Sequence, residues 1–161
     1  MRTGIITPTK EIYLFTNIDG AKLSEDSFLT DDSNTSDVVN GLELARVFSN
    51  HSFDFTIVLF FSTSEEQDTR GVQEYLDSRS PMELAAIKYI INQDKTGYDN
   101  NGDDLMNLEY GDQPSSLALV EVLRATIDAY QLNLNHQIIT GCPRGDEESF
   151  RAKGLANFCV I

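Results

Sequence analysis

The sequence predicts a three-layer α/β/α fold with a mostly parallel or mixed central sheet. Two observations lead there. Apolar runs rich in strand formers alternate with helical periodicities along the 161 residues, and polar, carboxylate-bearing loops follow the apolar runs. Glu11 to Ile18, carrying Ile12, Leu14 and the aromatic Tyr13 and Phe15, reads as a buried strand. Asp19 to Ser36 is crowded with Gly, Ser, Asp, Asn and Thr and reads as a surface loop. Ser36 or Asp37 is placed to cap a helix in which Val38, Val39, Leu42, Ala45 and Phe48 recur at helical spacing to about Asn50, with Gly41 as its weak point.

Phe53 to Phe61 alternates and then becomes continuously apolar, which predicts a central strand covered on both faces. Glu66 to Ser78 is helical in pattern and is stopped by Ser80 and Pro81. Leu84 to Ile91 reads as a strand ending at Asn92, Gln93 and Asp94, followed by a polar loop to Pro114. Leu117, Val120, Leu123, Ile127 and Tyr130 define a helix. A strand at Asn135 to Thr140, a helical turn around Ser149 to Lys153 and a last strand at Asn157 to Ile161 complete the chain.

With 40% hydrophobic residues, a chain of this length buries one sizeable core, so residues 1–161 are expected to form a single domain. The formal charge of −14 repels phosphate backbones and anionic membrane surfaces, which excludes nucleic acid as a partner. The longest unbroken apolar run, Ile57 to Phe61, falls far short of the roughly 20 residues that cross a bilayer, so no membrane span is expected. Met1 to Lys10 lacks the apolar stretch of a secretory signal, and the compartment stays open. Cys142 and Cys159 are expected to be free and buried rather than bridged.

In open α/β sheets, ligands bind beyond the carboxyl ends of the strands. The loops there, with the polar stretch before the first helix, hold Asp19, Asp31, Asp32, Glu65, Glu66, Asp94, Asp146 and Glu147. Two readings stand: a solvated acidic rim, or a site where crowded carboxylates share a cation. In the second, the neighbouring Glu65 and Glu66 divide the work between base and ligand. Asp99, Asn101, Gly102, Asp103 and Asp104 have the composition of a calcium loop, but the glycine comes too early. His51 and His136 lie outside the candidate loops, and neither a Ser nor a Cys has a nearby histidine to activate it.

The serial order of these segments, from Glu11 to Ile161, resembles metallopeptidase family twenty-eight. These are the two-zinc aminopeptidases related to glutamate carboxypeptidase, glutaminyl cyclase and the transferrin receptor ectodomain. The family's His-x-Asp is represented by Asn17-Ile18-Asp19, and its Asp-Asp pair before a helix by Asp31-Asp32. Its strand ending in Glu-Glu corresponds to Phe60 to Gln67 with Glu65-Glu66. Asn-x-Asp-x-x-Gly-Tyr is matched by Asn92-Gln93-Asp94-Lys95-Thr96-Gly97-Tyr98, and Ser-Asp-His-x-Ser-Phe by Gly145-Asp146-Glu147-Glu148-Ser149-Phe150.

The resemblance implies that Asp31 would bridge two metals, with Asp32 as the alternative after one residue of slippage. Glu65 would be the general base, Glu66 a ligand of one metal and Asp94 of the other, and Asp19 would orient a ligand from behind. The two histidine ligands of the family fall on Asn17 and Glu147. Zinc favours imidazole and thiolate, whereas Asn17, Asp31, Glu66, Asp94 and Glu147 form an all-oxygen set that suits magnesium, manganese or calcium. Two functions therefore follow. One is a relative with impaired or lost hydrolysis, needing no cofactor, which meets a protein partner or a second copy of itself. The other is an active aminopeptidase or amidohydrolase that uses zinc or another divalent metal on a peptide or amine-bearing ligand. Against the family's catalytic domain, the chain is expected to lack strands before Glu11 and the helical end after Ile161.

Overall fold

Strand β1 (Thr7–Asn17) is the axis of the molecule, because its last residues are buried on both faces. The computed structural model describes residues 1–24, 27–29, 31–97, 102–141 and 145–161, with only the backbone described for 21–33. Around β1 lie β4 (Phe55–Ser62), β5 (Ile87–Gln93), β6 (Leu105–Tyr110), β7 (Asn135–Thr140) and β8 (Asn157–Val160), in the sheet order β4-β1-β5-β8-β6-β7. β4, β1, β5 and β8 are mutually parallel, whereas β6 pairs antiparallel with β8 and β7 parallel with β6, so the sheet is mixed. A small antiparallel pair, β2 (Ala21–Ser24) and β3 (Ser27–Leu29), occupies part of the predicted loop.

Alternation along the strands assigns the helices to layers. Tyr13 and Phe15 of β1 and Ile90 of β5 point into one core with Val72 and Leu76 of α2 (Arg70–Asp77) and Phe150 of α5 (Asp146–Ala152). Ile91, the next residue on β5, points the other way, into a second core where Leu108 and Phe158 meet Val120 of α4 (Pro114–Ala129). Helix α1 (Asp37–Phe48) lies on that second face. There a β-carbon on Gly41 would come within 3.2 Å of the Phe61 ring, so Gly41 permits close approach of helix and sheet rather than weakening the helix. The result is the expected α/β/α sandwich.

Several expectations need correction. Phe55–Ser62 is one of the two outer strands, not a central one, and its free side is met by an isolated antiparallel bridge between Arg2 and Ile57. A continuous apolar run reports burial of faces and not position in the sheet. Ser80 and Pro81 do not merely stop a helix. The Ser80 hydroxyl accepts from the Glu83 N–H and the Glu83 carboxylate accepts from the Ser80 N–H, a capping box that starts α3 (Pro81–Ala86). Leu84 is therefore helical, and the strand begins at Ile87. α2 starts only at Arg70, and the last helical turn begins at Asp146 rather than Ser149. β6 lies in the stretch expected to be loop, because Leu105–Tyr110 pairs on both edges despite its short apolar signal. Cys159 is buried, and Cys142 lies outside the described residues. No helix among the described residues is long and apolar enough to cross a membrane.

The aromatic contacts on β1 give a test of this packing. Phe15 is fully buried, with its ring 5.3 Å from Phe60 and 5.1 Å from Phe150. Phe15→Ala is expected to cost about 3–5 kcal/mol in urea unfolding. A loss below about 1 kcal/mol would show that this cluster does not organise the sheet.

Candidate functional site

The parallel register of β4, β1 and β5 carries their carboxyl ends to one edge: Asn17 pairs with Ser62, and Phe15 with Asn92. Asp19, Glu65 and Asp94 follow these ends directly. Asp146 and Glu147 arrive differently from the way the strand-end rule predicts. β6 and β7 run against the other four strands, so the loop after β7 leaves from the opposite edge. The two carboxylates reach the β1 and β5 ends because they open α5.

Side-chain amides meet the carboxylates there. The Asn17 amide donates to Asp146 Oδ2 at 2.5 Å, and the Asn92 amide donates to Glu147 Oε1. Asn34, from a π-helical turn at Asp31–Ser36, donates to the Asp19 carbonyl at 2.6 Å and to Glu65 Oε2 at 3.4 Å. Asn34 was not singled out in the sequence, since a buried amide inside a polar stretch has no periodicity to mark it.

The turn that presents Glu65 is tightly built. Ser64, Asp68 and Thr69 all take left-handed backbone angles, φ 65°, 57° and 56°. A β-carbon on Gly71 would lie 2.0 Å from the Thr63 carbonyl oxygen, so glycine allows α2 to begin against the end of β4. Thr69 Oγ1 shares a 2.9 Å hydrogen bond with Ser149 Oγ, tying the turn to α5. Beside it opens a cavity of about 760 Å³ lined by Glu65, Glu66, Asp68, Asp77 and Glu148, with Lys153 bound to Asp77 at 2.7 Å. Glu66 is exposed on this cavity wall.

Electrostatics follow from crowding. Burial, then the neighbouring Asp94 charge, pushes Glu65 up to about 7, against the Asn34 hydrogen bond and the Lys95 charge. Burial pushes Asp146 up to about 7 as well. The Asn17 hydrogen bond opposes that shift, while the charges of Glu65, Glu147 and Asp19 add to it. Asp94 is bound through both oxygens by Lys95 Nζ, at 3.0 and 2.9 Å.

The sequence-predicted residues thus divide. Asn17, Asp19, Glu65, Asp94 and Glu147 gather at the carboxyl ends of β1, β4 and β5, with Asp146 among them, and Glu66 faces the cavity. The side chains of Asp31 and Asp32 lie outside the described residues. His51 stands beside Phe53, and His136 Nδ1 lies 3.3 Å from the Leu134 carbonyl. Neither stands among these groups.

The described side chains do not by themselves form a site for a pair of zinc ions. Among the described residues, no three His, Cys, Asp or Glu side chains converge as an ion would require. An amide N–H occupies Asp146 Oδ2, another occupies Glu147 Oε1 and an ammonium holds both oxygens of Asp94, so a cation at these atoms would compete with protein donors. Among the described residues of this cluster, Asn17 Oδ1, Asp19 Oδ1, Asn92 Oδ1 and Asp146 Oδ1 are buried without a protein donor, and such oxygens are hard donors of the kind magnesium, manganese and calcium take.

The sequence profile of peptidase family M28 matches residues 30–158. No curated protein matches the chain. Among solved structures, a zinc aminopeptidase from Bacillus subtilis superposes with a TM-score of 0.81 at 20% identity, covering 100% of this chain and 38% of that one. The LapA aminopeptidase of Legionella pneumophila gives 0.74 at 22% identity over 94% of this chain and 39% of its own. A glutaminyl cyclase from an Acidobacteriales bacterium gives 0.73 at 16% identity over 94% and 54%. These likenesses show the fold, and the chain spans less than two thirds of each of these three structures.

The buried carboxylates predict a pH dependence of stability. Asp146 and Glu65 keep protons in the folded chain that the unfolded chain releases near the ordinary values of 3.8 and 4.5. Stability in chelator should therefore fall as pH rises from about 4 to about 7 and level off above. Asp146→Asn keeps an oxygen for the Asn17 amide without the charge and should flatten that fall, raising the urea midpoint at pH 8 but hardly at pH 4.5. An unchanged pH profile in this variant would show that Asp146 is ionised in the fold throughout.

Proposed function

Because the chain belongs to peptidase family M28, we propose that it is a member with the aminopeptidase-like fold and an impaired or lost capacity for peptide hydrolysis. The observation that carries this reading is the engagement of the two positions that correspond to histidine ligands. Asn17 is bonded to Asp146, and Glu147 accepts from Asn92. Neither position offers the imidazole nitrogen that zinc favours: Asn17 presents at most a neutral amide oxygen, and the Glu147 oxygen bonded to Asn92 would have to exchange a protein donor for a metal. Such a domain acts by binding. Its acidic cavity beside Glu65 suits an amine-bearing ligand, such as a peptide N-terminus, and its surface suits a protein partner or a second copy.

A second reading, an active amidohydrolase with a carboxylate-rich cation site, is favoured by two observations. The first is that Asn17 Oδ1, Asp19 Oδ1, Asn92 Oδ1 and Asp146 Oδ1 are buried without a donor, and these are atoms of the kind a hard cation takes. The second is Glu65, whose carboxyl is pushed up to about 7, the range in which a side chain both takes and returns a proton near neutral pH. In this reading Glu65 is the base, and Asn17, Asp31, Glu66, Asp94 and Glu147 supply the oxygens with Asp19 behind them.

Elemental analysis after equilibration with zinc, manganese or magnesium, followed by assay on aminoacyl amides, separates the two. The impaired member binds no stoichiometric zinc and turns over nothing above background, and Glu65→Gln changes neither result. Stoichiometric metal with turnover that falls by about 10²–10⁴-fold in Glu65→Gln would establish the second reading instead.

A further inference from the structure

Consecutive side chains of an extended strand point to opposite sides, so Asp94 and Lys95, immediately after β5, would normally face apart. Here they meet, with Lys95 Nζ on both oxygens of Asp94 at 3.0 and 2.9 Å. The backbone makes this contact possible. Lys95 takes a left-handed conformation with φ 58°, an uncommon state for a residue with a long side chain. It is held there by Asp37, the first residue of α1, which is fully buried. Asp37 Oδ2 accepts from the Lys95 N–H at 2.8 Å, and Oδ1 accepts from the Thr96 N–H at 3.0 Å and the Thr96 hydroxyl at 2.6 Å. A buried carboxylate with three donors thus fixes a strained turn whose effect is to return an ammonium to the carboxylate before it.

The Lys95 charge also reaches Glu65, where it opposes the Asp94 charge. We propose that Lys95 is a resident cation of this site, taking at Asp94 the place a divalent ion would take and so excluding metal from that carboxylate. This inference rests on the reading above that the zinc centre is dismantled. It adds a cause to that reading, because the loss of two histidines weakens a metal site, whereas an ammonium bound to a remaining ligand opposes metal binding outright. A divalent ion approaching Asp94 must break both contacts of Lys95 Nζ and meet its repulsion at short range.

The test is manganese binding by the full chain, read as loss of the free-ion paramagnetic resonance signal in wild type, Lys95→Met, Lys95→Gly and Lys95→Arg. Glycine relieves the left-handed backbone and so keeps a folded variant available if methionine does not fold. The methionine and glycine variants are expected to bind manganese at least about tenfold more tightly than wild type, and arginine is expected to bind no better than wild type. Affinities of the neutral variants within about twofold of wild type would overturn the proposal. The wild-type result also judges the earlier reading. Tight stoichiometric binding by wild type would sink the dismantled centre and exclusion by Lys95 together, whereas weak binding by wild type that neither Lys95→Met nor Lys95→Gly tightens would sink exclusion alone.

Discussion

Burial of β1 on both faces, between β4 on one side and β5 on the other, is the constraint on which the site depends. Tyr13 and Phe15 reach one core, while Thr16 lies beneath the close contact of Gly41 with Phe61 on the other face. Since both neighbours are parallel to β1, the register that satisfies these contacts also aligns three strand ends. Shifting β1 by one residue would turn Phe15 to the wrong face and move Asn17 away from Asp146 in the same step. Packing and site geometry are therefore one requirement, met by the same backbone hydrogen bonds.

The charge problem created by that alignment is answered with amides. Asn17, Asn34 and Asn92 each turn an N–H toward an oxygen of the acidic cluster, and Asn40 joins Gln93 nearby at 2.6 Å. Neutral amides donate without adding charge, so they lower the cost of burying carboxylates but do not cancel their repulsion. That is why Glu65 and Asp146 stay pushed up to about 7 in spite of their donors. It is also why Lys95 matters, as a full positive charge placed among partial ones.

Much of this was legible in the sequence, for identifiable reasons. The strands at Asn135–Thr140 and Asn157–Val160 and the helix through Val120 and Ile127 carry strong periodicity and lie where the pattern puts them. The strand ends that gather Asn17, Glu65 and Asp94 follow from parallel pairing, which alternation of strand and helix predicts. The misses share a different cause. Position within the sheet does not alter the pattern of an apolar run, so β4 looked central. β6 depends on partners on both sides that local periodicity does not encode. Asn34, Asp37 and Lys95 owe their roles to tertiary contacts, Asp37 across 58 and 59 residues of chain, and composition is silent about such pairs.

The Asp37 clamp has a mechanical side. It fastens the start of α1 to the turn after β5 through three part-buried bonds, although the two segments are far apart in sequence. A ligand that displaces this turn must also loosen the entry of α1, and anything that docks α1 more firmly stiffens the turn. The Asp94 end of the site is thereby fastened to a helix on the sheet face opposite α2 and α5, so its geometry depends on how that helix is seated.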